Sequence, residues 1–122
     1  MQMVMNDENT VEQLFARWQP QARKGWLESF ILLLLSKNRS YGYEIATNLR
    51  QSLDAELPEG TLYPLLRRMQ RDGLVDTEWD TEGSSNPRKY YTISNRGREL
   101  ASMMQSEWTR WSQTMVALEK GQ

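Results

Sequence analysis

The hydrophobic period of this chain changes at Asp72-Gly73, and that change restricts the folds open to it. Upstream, apolar residues recur at helical spacing, whereas just downstream they alternate. In "GTLYPLLRRMQRDGLV", Leu65, Leu66 and Met69 fall within about 60° of Leu62 at 100° per residue, which predicts a helix over residues 60–71 with one apolar face. Asp72-Gly73 reads as its stop, with glycine in the left-handed position after the cap. Next, "LVDTEWD" alternates in part, and "RKYYTIS" is rich in aromatic and β-branched residues. The polar "TEGSSNP" lies between them. The pattern is a hairpin with strands near 74–80 and 88–94 and a loose tip.

The rest of the chain reads as helices. Residues 1–9 look frayed. Thr10 with Gln13 resembles a capping box and opens a short helix over 11–19, with Val11, Leu14, Phe15 and Trp18 on one face. Pro20 interrupts that helix and opens the next, which runs to residue 36. Ser40 caps a third helix over 41–53 that buries Ile45, Ala46 and Leu49. The connector over 54–60 has room for one short extended pair.

A last helix covers 95–120, with Leu100, Met103, Met104, Trp108, Trp111, Met115 and Leu118 close to heptad spacing. At 1.5 Å per residue it extends ~37 Å, longer than a small core can cover. Its stripe is expected to bury against another chain. The fold class is mainly α with a small β-hairpin: a winged helix-turn-helix over 23–94, an N-terminal extension over 1–22 and a C-terminal dimerisation helix over 95–122.

Composition narrows function. With 122 residues the chain suits one domain. It has no cysteine and no histidine, so disulfides, thiolate metal sites and the commonest general base are excluded. Its carboxylates look scattered rather than paired, and no glycine-rich phosphate loop occurs. No enzyme, cofactor or metal is expected. The N-terminus lacks the basic and apolar regions of a secretory signal. The most apolar run, "WLESFILLLL", is interrupted by Glu28 and falls short of the ~20 residues of a membrane span. A cytoplasmic protein with no membrane partner is expected.

The net charge of −1 argues weakly against nucleic acid, but a groove responds to local field rather than to the average. The predicted helix over 60–71 directs Pro64, Arg67 and Arg71 away from its apolar face, with Thr61 and Arg68 flanking and Tyr63 at the margin. A solvated charged face is the commoner fate of such a pattern. Three features favour DNA instead: few acidic neighbours at helical spacing, small or rigid groups (Gly60, Thr61, Pro64) that permit close approach, and the third place in a helix-turn-helix order. Ser84, Ser85, Asn86, Arg88 and Lys89 around the hairpin tip suit phosphate or minor-groove contact, against the alternative of an ordinary turn. Ser40, Tyr41 and Tyr43 open the preceding helix and offer hydroxyls to phosphates, although Tyr43 suits core packing equally well. A winged helix used only to bind protein is the alternative, and the net charge is its cue.

The motifs "YGYEI", "GTLYPLLRRM", "DGLV" and "RKYYTIS", with Gly97 after the last, resemble the PadR family of transcriptional regulators in order and spacing. The resemblance implies a homodimeric regulator on a double-stranded DNA operator, with the helix over 60–71 in the major groove, the wing on flanking DNA and the C-terminal helix in the dimer interface; a repressor is expected. It also implies, for some members, a small aromatic effector held between tryptophans at that interface, and Trp108 falls at the matching position. Packing in the dimer is the plainer role for Trp108 and Trp111. The extension over 1–22 departs from the short family pattern.

Overall fold

A computed structural model describes residues 10–82 and 86–121. The elements run α1 (Val11–Lys37), β1 (Ser40–Tyr41), α2 (Gly42–Leu53), α3 (Glu59–Arg71), β2 (Val75–Asp80), β3 (Arg88–Ile93) and α4 (Asn95–Glu119). This is the order of a winged helix-turn-helix with a long helix after the wing. The frayed segment expected over 1–9 lies outside the described residues, as do Ser84 and Ser85 of the wing tip. Among the described residues no helix is long and apolar enough to cross a membrane.

Three elements differ from the sequence reading. First, α1 passes through Pro20 without a break, so the two helices expected over 11–19 and 20–36 are one. The carbonyl that loses its donor belongs to Ala16, on a stretch exposed at every residue, where water can replace the missing bond. Second, the wing is a three-stranded antiparallel sheet in the order β1-β3-β2. The extended pair expected in the connector lies instead at Ser40 and Tyr41, opposite Tyr91 and Tyr90. Third, the N-cap of α2 is Tyr41, not Ser40. Glu44 closes that turn by accepting the Tyr41 backbone N–H at 2.8 Å.

The core lies between α1, α2, α3 and the base of the wing. Ile31, Leu32, Ile45, Leu49, Leu62, Leu66, Met69 and Val75 are its most enclosed side chains. Leu65 packs at its edge, half-buried. Each fully buried aliphatic side chain stabilises the fold by about 1.5–3 kcal/mol. The stop after α3 forms as expected. Gly73 has φ +76°, the Leu74 N–H reaches the Met69 carbonyl at 2.9 Å, and the Gly73 N–H reaches Gln70 at 3.0 Å. Ser94 caps α4 by accepting the Gly97 N–H at 3.0 Å. Gly97 lies so close to that turn that a Cβ would stand 2.2 Å from the Leu74 carbonyl oxygen.

Helix α4 packs antiparallel on α1, since Trp26 meets Trp108 while Ser29 meets Met104. Buried Ser29 links the two helices: its hydroxyl accepts the Trp108 indole N–H at 2.7 Å and donates to the Met104 sulfur at 3.1 Å. Leu100 and Met104 rest against the core. Three residues of the heptad stripe (Leu100, Met104 and Trp108) are therefore engaged within the chain, contrary to the reading that the whole stripe faces another chain. Met103, Trp111, Met115 and Leu118 are exposed.

Candidate nucleic-acid interface

The order of elements brings the start of α2, the outward face of α3 and the first half of β3 to one surface. Between them lies a groove of about 780 Å³ lined by Tyr41, Tyr43, Tyr63, Tyr91, Arg67, Arg88 and Lys89, together with Gly42 and Glu44. All five tyrosines of the chain gather here, because Tyr90 stacks on Tyr41 with ring centroids 3.9 Å apart. Gly42 lets α2 meet α3 closely, since a Cβ there would stand 3.0 Å from the Tyr63 ring.

The sheet locks the wing against the helices. The Tyr41 hydroxyl donates to Asp80 Oδ2 at 2.9 Å, the Arg39 guanidinium lies 4.0 Å over the Tyr90 ring, and Arg88 lies 5.1 Å over Tyr41. Hydrogen bonding with Tyr90 raises the pKa of the Tyr41 phenol far above its ordinary value, with burial and the Asp80 carboxylate acting in the same direction. Burial raises that of Tyr91, Tyr63 adds to the effect, and the Arg67 charge opposes it. Tyr41 and Tyr91 are thus held protonated in the groove, beside the Arg67, Arg88 and Lys89 cations, whose N–H groups suit phosphate oxygens and base edges. On the far side, Gln70 of α3 donates to Thr77 of β2 at 3.2 Å and ties the helix to the wing.

The residues expected to contact DNA divide into groups. Tyr41, Tyr43, Tyr63, Arg67, Arg88 and Lys89 share the groove. Gly60, Pro64 and Arg71 are exposed on α3, and Thr61 is exposed on the flank of α3 away from this groove. Tyr43 is 73% exposed, so the alternative of core packing does not hold for it. Asn86 is exposed near the wing tip.

Two expectations need correction. Ser40 is buried in β1 and its hydroxyl donates to the Asn38 carbonyl at 3.3 Å, so it offers nothing to a phosphate. Arg68 is not without an acidic partner: Glu28 of α1 accepts from it at 3.3 Å. Among the described residues neither Arg67 nor Arg71 forms an ion pair. Glu28, Arg39 and Asp80 escaped the sequence reading because their partners lie about forty or more residues away in the chain.

Comparison with known proteins agrees with this geometry. The model of the transcriptional regulator PadR-like family matches residues 31–102, more than half of the chain. A PadR-like transcriptional regulator from Bacillus cereus strain ATCC 14579 is 35% identical, with 84% of this chain and 99% of that chain covered and a TM-score of 0.75. A PadR-like transcription factor from Bacteroides fragilis is 34% identical, with 84% and 98% covered and a TM-score of 0.71. An uncharacterized protein of Lysinibacillus sphaericus is 30% identical over 87 residues, 70% of this chain and 80% of that one. The family match begins in the last turns of α1, takes in α2, α3 and the wing, and ends in α4. The chain thus belongs to the PadR-like family of transcriptional regulators, DNA-binding proteins rather than enzymes.

Proposed function

We propose that the protein is a homodimeric, sequence-specific repressor that seats α3 in the major groove and rests its wing on flanking DNA. The observation that carries this reading is the groove around Arg67, which three cations and four tyrosines from β1, α2, α3 and β3 line. Exposed Met103, Trp111, Met115 and Leu118 of α4 supply the surface for the second copy. A dimer fixed on two adjacent half-sites represses most simply by excluding other proteins from that DNA.

Selection of bound genomic fragments followed by footprinting tests the reading. The expected footprint has two half-sites about one helical turn, ~10 bp, apart. Absence of any protected fragment, together with recovery of a stable protein partner, would replace this reading with that of a protein-interaction module.

A second reading is supported by the aromatic cluster on α1 and α4. Trp108 stacks on Trp26 at 3.7 Å and meets Trp111 edge-on at 5.0 Å. Such a surface suits a flat aromatic effector that changes DNA affinity from the dimer interface. Quenching of tryptophan fluorescence by planar aromatics, lost in Trp108→Ala, is the expected signature.

A further inference from the structure

We propose that α1 supplies a second phosphate-binding edge of the DNA interface, through Lys24 and Arg23. The proposal rests on the reading that α3 enters the major groove. A helix in that groove, about 12 Å wide, has a phosphate backbone on either side. Contacts to both backbones fix its register. One side is served by Tyr41 of β1, Tyr43 of α2 and the cations of β3. The opposite flank of α3 carries Thr61 and Arg68, which lie about 20° apart around the helix axis.

Helix α1 reaches that flank at two places. Glu28 holds Arg68 at 3.3 Å, which attaches α1 to the last turn of α3. Lys24 stands one turn before Glu28 on the same face of α1. Together with Arg23 and Thr61 it lines a groove of about 450 Å³ at the start of α3. Leu27, Leu57 and Pro58 also line this groove, so the lysine stem can lie on apolar surface while its ammonium reaches outward. Lys24 is exposed and Arg23 half-buried. Glu56 contributes a carboxylate, outnumbered by the two cations, and Glu28 is already matched by Arg68. Two cations and the Thr61 hydroxyl at a groove edge are the chemistry of a phosphodiester contact, independent of base sequence.

The test uses the full chain, the selected operator duplex and an unrelated duplex of equal length, with binding measured across a salt series. Lys24→Ala should weaken both duplexes by the same factor and make the salt slope shallower by about one, and the Arg23→Ala/Lys24→Ala pair by about two. Ethylation of phosphates on the strand across α3 from the wing should stop interfering with binding by Lys24→Ala. Lys24→Gln should show the same slope with an unchanged thermal midpoint, which separates charge from folding. Wild-type slopes and an unchanged interference pattern in these variants, alongside relaxed base preference in Arg67→Ala, overturn the proposal and leave the reading of α3 intact. If Arg67→Ala also binds as wild type does, the reading of α3 fails, and the proposal falls with it.

Discussion

Among the cations of α3, position in the fold separates roles that composition makes equal. Arg67 projects into the tyrosine groove, Arg71 faces solvent, and Arg68 is held by Glu28. Arg67 is therefore expected to read a base edge: Arg67→Ala should cost about 1–3 kcal/mol on the operator and relax one base position. Lys89→Ala should weaken all sequences alike and flatten the salt slope by about one. Competition binding against single-base operator variants tells the two effects apart. Tyr41 allows a pH test. Its phenol titrates far above the ordinary value of ~10 in the folded chain, whereas the unfolded chain titrates near ~10. The proton is bound more tightly when folded, so this contribution is complete below pH ~10 and is lost as pH rises beyond it. Tyr41→Phe should melt below wild type at pH 7, and the gap should narrow above pH ~10 in thermal denaturation.

At the scale of elements, the join between wing and α4 is the least tolerant. Ser94 donates to the Gly73 and Leu74 carbonyls and accepts the Gly97 N–H, while a Cβ at Gly97 would run into backbone rather than a movable side chain. Gly97→Ala is expected to destabilise by about 1–3 kcal/mol or more through overpacking. Urea denaturation with an unchanged m-value would show a pure stability loss. Most elements were legible because their signals are local. The period change at Gly73, the apolar face of α3 and the heptads of α4 each lie within a short window. Pro20 misled because a proline signals a helix break by default, and the exposure that relieves its cost is a tertiary property. Strand β1 stayed hidden because two residues carry no period, and it is extended only because β3 pairs with it.

For the whole molecule, the division of the α4 stripe sets what a second copy can touch. Leu100, Met104 and Trp108 are taken by the core and α1, which leaves Trp111, Met115 and Leu118 outward. Trp111→Glu or Met115→Glu is expected to yield monomers that keep native circular dichroism, and to reduce operator affinity at least tenfold because a dimer couples two half-sites. Sedimentation velocity beside operator titration checks both halves of that statement.

By itself the sequence determined the helix types, their order, the stop at Gly73 and the apolar face that α3 buries, since all of these arise from residues within a few turns of one another. It also held the motifs that mark the family. Only the tertiary structure decided that Arg68 is paired, that Ser40 is buried, that Trp108 lies on Trp26, and that four tyrosines share a groove with Arg67. Each of these is a contact between residues far apart in the chain. Which partner a side chain meets there depends on how whole elements pack, and no local pattern encodes that.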